Sequence, residues 1–169
     1  MVATEEIRKF LEEDYARAFS SKQPRLVLGQ FAPDSELLFH QLGQDKSGKG
    51  GKGKTVRVHT GSLWKALAKG RMPAWLMLTI VFRRLAKSDY DRSTIKLIQL
   101  HGLIEESLHA MVRWHRLDSR GAVFEEGYSV LKLDRTDGVW KIKEGWTLDD
   151  PLQWDEGSTG FSFSTSSKN

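Results

Sequence analysis

The stretch "GYSVLKLDRTDGVWKIKEGW", from Gly127 to Trp146, decides the fold. Apolar and polar residues alternate on both sides of the turn-rich segment "DRTDG". Alternation of this kind around Asp and Gly is typical of two antiparallel β-strands joined by a short loop. The stretch therefore predicts a β-hairpin with one face turned towards the protein core.

The register of this hairpin decides which side chains share a face. Pairing Asp134 with Val139 places Ser129 opposite Glu144, on the face that also carries Trp146. A carboxylate inside an apolar stripe is costly to bury without a partner, and burial raises its pKa. We predict Ser129, Glu144 and Trp146 as ligand-binding residues. The alternative is that Glu144 lies near the open end of the sheet or in an ion pair with a neighbouring arginine.

The preceding hairpin, around "DSRG", allows two arrangements. Asp118 and Gly121 suit the first and last positions of a turn, which favours a three-residue loop with a glycine bulge. His109 and Arg113 then share the inner face with Glu125, and the pocket is polar. A two-residue loop would turn the strand over and line a dry pocket with Leu108, Ala110, Val112 and Trp114. The turn chemistry favours the polar arrangement.

Helical periodicity dominates the chain before these hairpins. The spacing predicts a helix from Thr4 to about Ser20, a short helix starting at Pro24, and helical segments around 63–68 and 74–86. Strand-like runs are "SELLFHQL", "TVRVHT" and "STIKLIQLHGL". Helices followed by antiparallel strands predict an α+β fold, with N-terminal helices on a curved, mostly antiparallel sheet that forms a cone-shaped pocket.

Length and composition indicate one domain. The 169 residues are expected to form a single domain over 1–150, followed by a flexible Ser/Thr/Gly-rich tail over 151–169. The absence of cysteine excludes a disulfide framework and thiolate catalysis. The acidic, amphipathic start is unlike a signal peptide, which predicts a cytoplasmic protein.

The longest apolar run, from Met72 to Phe82, has 11 residues and is too short to span a bilayer. We expect it to form a mostly buried helix packed in the core. The alternatives are a roof over the pocket, a dimer contact or a helix on a membrane surface. We do not expect a membrane partner.

The segment "GKGGKGKT", from Gly48 to Thr55, matches the phosphate-loop pattern. A phosphate loop needs a buried strand before it and a helix beginning at the lysine. Here the preceding strand ends near Leu42, and the "VRVHT" that follows alternates like another strand. We therefore predict a Gly/Lys loop with no helix at Lys54 and no cofactor. No aromatic residue is interleaved for base stacking, so we expect no nucleic-acid partner.

Two helices, then "FAPDSELLF", then "GYSVLKLDRTDGVWKIKEGW" resemble the nuclear transport factor 2-like superfamily, also called cystatin-like, over roughly residues 4–148. The SnoaL-like and lumazine-binding-like branches are the most similar. The resemblance implies a cone-shaped pocket that binds a small organic molecule, often in a homodimer. Fold alone does not establish activity, because this fold serves enzymes and binding modules.

The resemblance also suggests site residues. Tyr15 matches the first-helix tyrosine of the ketosteroid isomerases of this superfamily. Their base falls on Phe39 and their acid on Ser129, so that chemistry is not expected. The dehydratases of the fold use histidines with tyrosines, which makes Tyr15, His40 and His109 the candidate catalytic residues.

We therefore expect a protein that binds a small, largely apolar ligand, with Arg113, Glu125, Ser129, Glu144 and Trp146 as ligand-binding residues. If it is an enzyme, the reaction would be a cofactor-independent isomerisation, dehydration or cyclisation without a metal. The alternative is a non-catalytic ligand-binding or protein-interaction module. A homodimer through the sheet face is expected in either case.

Overall fold

A computed structural model describes residues 2–42, 54–104 and 107–148. The helices are α1 (Val2–Arg8), a π-helical stretch (Lys9–Tyr15), α2 (Ala16–Ser20), α3 (Pro24–Leu28), α4 (Leu63–Ala68) and α5 (Ala74–Leu85). The strands are β1 (Glu36–Leu42), β2 (Lys54–His59), β3 (Met72–Pro73), β4 (Tyr90–Ile104), β5 (Ser107–Asp118), β6 (Val123–Thr136) and β7 (Val139–Leu148). The expected domain boundary at 150, the tail over 151–169 and residues 43–53 of the Gly/Lys loop lie outside the described residues.

The seven strands form one curved, open sheet in the order β3-β2-β1-β7-β6-β5-β4. Neighbouring strands are antiparallel except for the pairs β1–β7 and β2–β3. The helices cover one face, and the main core joins helical residues such as Leu11 and Leu78 to Leu133 and Ile142 of the sheet. We call this the inner face and the opposite one the outer face. The predicted α+β architecture is confirmed.

The first helical segment is continuous from Val2 to Ser20, but its middle is π-helical. Ile7 and Leu11 are fully buried against the sheet. Glu12 lies in the π-helical stretch, and its carboxylate accepts a hydrogen bond from the backbone N–H of Leu97 at 2.8 Å. This contact fixes the helix against β4 and sets the position of Tyr15, the last residue of the stretch.

The segment after the Gly/Lys loop is a strand. β2 pairs with β1 in antiparallel fashion, with Thr55 opposite His40 and Lys54 opposite Gln41. No helix begins at Lys54, as predicted. A phosphate loop would need one there, because its N-terminal amides bind the phosphate.

The β6–β7 hairpin differs from the predicted register. Its loop is only Asp137 and Gly138, both with positive φ (51° and 77°), as a tight two-residue hairpin requires. Val139 therefore pairs with Thr136 and not with Asp134, a shift of two residues from the predicted register. This difference alone leaves the faces unchanged.

A bulge in β7 then changes the faces. Leu133 pairs with Ile142 and Lys132 pairs with Glu144, so Lys143 is an extra residue. Without the bulge, regular alternation would place Glu144 and Trp146 on the inner face. The extra residue reverses the alternation beyond it, so these side chains point outwards. The prediction that Glu144 and Trp146 face the helices was wrong for this reason.

The β5–β6 hairpin has the predicted loop, but the side chains of β5 face the opposite way from the favoured arrangement. The Asp118 N–H donates to the Ala122 carbonyl at 2.9 Å, and Gly121 has φ +81°, so the three-residue loop is confirmed. Leu117 pairs with Val123 and Arg116 with Glu125, however, which leaves Phe124 as a bulge.

The bulge at Phe124 turns β5 over relative to the polar arrangement that we favoured. Val112 lies opposite Ser129 and Trp114 opposite Gly127, on the inner face. His109 and Arg113 therefore lie on the outer face, and their predicted place beside Glu125 was wrong. β5 contributes Leu108, Ala110 and Val112 to the core, as in the alternative arrangement.

Asp118 gives a pH-dependent test of this loop. Its carboxylate accepts hydrogen bonds from the backbone N–H groups of Ala122 and Arg120, both at 2.9 Å. The bond from Ala122 foremost, helped by Arg120, holds the pKa of Asp118 below its ordinary value. The stabilisation is therefore present above the unfolded-state pKa of about 3.9 and is lost as the pH falls through the lower folded-state pKa.

We expect Asp118→Asn to lower the free energy of unfolding at neutral pH, and the difference from wild type to shrink on acidification. Urea unfolding at neutral pH and near pH 3 measures both. Asp137→Asn, at the tip of the other hairpin, is the control and should change little, because Asn suits that turn equally well. A destabilisation by Asp118→Asn that stays constant with pH would contradict this role.

Candidate ligand-binding pocket

A pocket of about 340 Å³ opens on the inner face of the sheet. The first helical segment, α5 and strands β1 and β4–β7 all contribute to its wall. The apolar lining residues are Phe19, Ile95, Val112, Trp114 and Leu131. The polar ones are Tyr15, Gln41, Arg84, Ser93, Arg116, Glu125, Ser129 and Thr147. The pocket thus combines an apolar wall with hydroxyl and charged groups, as small-molecule sites do.

Trp114 forms one wall of this pocket because Gly127 lies opposite it. A Cβ atom at Gly127 would come within 2.5 Å of the Trp114 ring, so a larger residue could not occupy this position unless the ring moved. The indole Nε1–H donates a hydrogen bond to the Ser129 Oγ at 3.1 Å. Because the Ser129 oxygen accepts this bond, its own O–H remains available as a donor.

Arg116 and Glu125 form an ion pair at the pocket wall. The guanidinium Nη1 lies 2.5 Å from the Glu125 Oε2. The guanidinium also lies over two aromatic rings, 5.0 Å from the centroid of Trp114 and 5.9 Å from that of Phe19. These cation–π contacts hold the arginine in place, so that it braces the aromatic wall.

Tyr15 brings a phenol to the pocket from the helical side. Its ring packs edge-on against Phe19 and Phe31, with centroids 6.4 Å and 6.3 Å apart. Burial raises the pKa of Tyr15 to about 12, although the nearby charge of Arg116 opposes the increase. The hydroxyl is therefore protonated at neutral pH. No group in the described part of the chain forms a hydrogen bond with it.

Arg84, near the end of α5, adds a positive charge to the pocket lining. Its side chain is exposed, and it makes no ion pair with any residue in the described ranges. An unpaired guanidinium beside an apolar cavity suits a ligand with a carboxylate or another anionic end.

A second polar cluster lies on the outer face. The His40 Nε2 is 2.6 Å from the Glu144 Oε1, and its Nδ1 is 3.0 Å from the Thr55 hydroxyl. Trp146 stacks on the His40 ring, with centroids 5.1 Å apart and an interplanar angle of 18°. Glu144 thus has a histidine partner. The alternative considered from the sequence was an ion pair with an arginine.

His109 belongs to the same outer cluster. Its ring centroid lies 5.7 Å from that of Trp146. Burial lowers the pKa of His109, and the positive charge of Lys132 adds to the decrease, so the imidazole is neutral at pH 7. Arg113 is also outside the pocket, bound to Glu126 at 2.7 Å.

The sheet therefore divides the residues predicted as a single site. Tyr15, Glu125 and Ser129 line the pocket. The others lie on the outer face: His40, His109, Arg113, Glu144 and Trp146. The roles assigned to individual residues stay predictions, but their convergence around one ligand does not occur in the described structure.

The sequence did not point to Phe19, Arg84 and Arg116 as pocket residues, and it placed Trp114 in the pocket only in the arrangement that was not favoured. Gly127 was the available signal, because a glycine inside a strand often marks a bulge or a close approach. Within residues 2–42, 54–104 and 107–148, no three His, Asp or Glu side chains come together as a metal site would require.

No protein-family model matches the chain, and no curated protein matches it by sequence. Solved structures match it through their fold. An NTF-2-like protein of unknown function from Shewanella oneidensis superposes with a TM-score of 0.58 at 11% identity, over 86% of this chain and 98% of the other.

Two further structures agree. A protein assigned as the β subunit of an aromatic-ring-hydroxylating dioxygenase from Novosphingobium aromaticivorans gives a TM-score of 0.57 at 15% identity, over 88% of this chain and 90% of that one. A cystatin-like domain of unknown function from Nostoc punctiforme gives 0.55 at 8% identity, over 89% and 78%. Identities this low establish the fold alone. The chain has the nuclear transport factor 2-like, cystatin-like fold.

Proposed function

We propose that this chain binds a small, largely apolar organic molecule with a polar or anionic end in the inner-face pocket. The observation that carries the proposal is the Tyr15 hydroxyl, which is protonated, faces the pocket and lacks a hydrogen-bond partner among the described groups. Tyr15 is half-buried and its hydroxyl opens on the pocket, so water can accept its hydrogen bond until a ligand group replaces that water.

The apolar wall supports the same proposal. Trp114, Val112 and Leu131 offer a surface that an aromatic or aliphatic body can cover, and Arg84 offers a charge to an anionic group. The Ser129 O–H provides a second donor. Because the Trp114 ring lines the pocket, an aromatic body is the first ligand to test.

Acid–base catalysis is the second candidate. Two hydroxyl donors on one pocket, Tyr15 and Ser129, could stabilise negative charge that develops on a bound substrate. The proton carrier is the weak point, because His40 and His109 lie across the sheet and Glu125 is paired with Arg116. We therefore favour binding over an isomerase, dehydratase or cyclase activity.

A homodimer through the outer face remains a further proposal. Met111, Val130, Trp146 and Leu148 form an apolar cluster on that face. These side chains are only 1–8% exposed in the single chain, so a partner would bury little additional apolar area on them. A cytoplasmic location also stays a prediction.

The first test is the binding of 2-naphthoate, an aromatic carboxylate. We expect Tyr15→Phe to weaken binding by about tenfold, as the loss of one hydrogen bond predicts. Tyr128→Phe is the matched control, because Tyr128 packs on the outer face and should leave the affinity unchanged. Isothermal titration calorimetry measures both. Equal effects of the two substitutions, or no binding to wild type, would contradict the proposed site.

The raised pKa of Tyr15 predicts how the stability of the fold changes in alkali. A folded-state pKa of about 12 means that Tyr15 stabilises the fold fully below its unfolded-state value of about 10, and that this contribution is lost as the pH rises towards 12. Wild type should therefore lose stability in alkali more steeply than Tyr15→Phe. Urea unfolding at neutral and alkaline pH measures the difference, and parallel losses would show that Tyr15 is not buried as described.

A further inference from the structure

Exposed apolar side chains cluster on two neighbouring helices. Twelve large apolar side chains are exposed in the described part of the chain, and six of these lie on α4 and α5. They are Leu63, Trp64, Leu67, Trp75, Leu76 and Ile80. Trp64 is 78% exposed, which is unusual for so large an apolar ring. We call these six residues the α4–α5 surface.

The helix geometry explains how the surface arises. On α5, the buried residues Ala74, Leu78, Phe82 and Leu85 recur at helical spacing and face the core. Trp75, Leu76 and Ile80 lie between them and point away from the core. The expectation of a mostly buried helix was therefore wrong, because α5 is apolar on both of its sides. Both helices contact β2 and β3, which places them at the same edge of the sheet.

The charged residues of α4, α5 and the segment between them are all basic. From Gly61 to Ser88 the sequence contains six Lys and Arg residues and no Asp or Glu. Lys65 and Arg71 are paired with Asp34 and Glu36, each at 2.6 Å. The other four make no ion pair with any described residue: Lys69, Arg83, Arg84 and Lys87.

We propose that the α4–α5 surface binds the surface of an anionic phospholipid bilayer. Tryptophan prefers the boundary between head groups and acyl chains, where Trp64 and Trp75 would lie. The aliphatic side chains would enter the acyl boundary, and the unpaired cations would contact lipid phosphates. This inference reverses the expectation that the protein has no membrane partner.

The proposed mode is attachment in the plane of the membrane. α5 has 12 residues and is about 18 Å long, far short of the hydrocarbon thickness. No helix in residues 2–42, 54–104 and 107–148 is long and apolar enough to cross a bilayer. A helix with an exposed apolar side and a basic C-terminal end can instead lie flat at the interface.

Charge complementarity also selects this occupant over a second copy of the chain. Two copies meeting through this surface would bring the unpaired cations of one against those of the other, and like charges in an interface are costly. An anionic bilayer offers the opposite sign and an apolar layer together.

The test is flotation of the full chain with lipid vesicles, one set of phosphatidylcholine and one of phosphatidylcholine mixed with phosphatidylglycerol. We expect binding to the mixed vesicles, which weakens as salt is added. The double variant Arg83→Gln/Lys87→Gln should lower the partition coefficient by about fivefold for each charge removed. Arg84 is left in place because it also lines the pocket.

Ile80→Glu and Ile98→Glu form the matched pair, since both isoleucines are 50% exposed and Ile98 lies on the distant edge strand β4. We expect Ile80→Glu to lower the partition coefficient by about tenfold or more, and Ile98→Glu to leave it nearly unchanged. Circular dichroism checks that both variants remain folded.

Three outcomes would overturn the proposal. The first is the absence of binding to the mixed vesicles, and the second is an equal loss in the two isoleucine variants. The third is a wild-type dimer, seen by sedimentation, that Ile80→Glu dissociates, which would assign the surface to a second copy. If an acidic protein is the true partner, vesicle binding will be absent and the first outcome applies.

Discussion

One extra residue in each of two strands determines which side chains face the pocket. The bulge at Phe124 turns β5 over relative to β6, and the bulge at Lys143 turns the end of β7. Because side chains alternate between the faces of a sheet, each bulge exchanges the inner and outer sets beyond it. The aromatic wall of the pocket and the separate histidine cluster on the outer face both follow from these two positions.

The bulge in the β5–β6 hairpin gives the pocket its character. It places Trp114 over Gly127, where only a glycine leaves room for the ring, and within reach of the Ser129 hydroxyl. It also brings Arg116 and Glu125 together at the wall. The pocket is therefore more aromatic than the favoured sequence interpretation, and it contains Tyr15 and two arginines without a histidine. These contents favour ligand binding over proton transfer.

The sequence was sufficient for the elements, the α+β class and the rejection of the phosphate loop, because these depend on local periodicity and turn residues. The "DSRG" loop was also correct, since Asp118 and Gly121 carry its chemistry themselves. The bulges could not be located, because a bulge depends on packing between neighbouring strands, such as that of Trp114 on Gly127. The exposed side of α5 was missed for a related reason. Apolar composition shows that a helix can be buried, but tertiary packing decides how much of it is.

The central claim is that a ligand enters the face lined by Trp114 and not the face that carries Trp146. The indole Nε1–H resonances of these two tryptophans, assigned with Trp114→Phe and Trp146→Phe, report on the two faces separately in a ¹H–¹⁵N spectrum. On addition of 2-naphthoate, the resonance of Trp114 should shift and that of Trp146 should stay in place. A shift of Trp146 with no change at Trp114 would contradict the account.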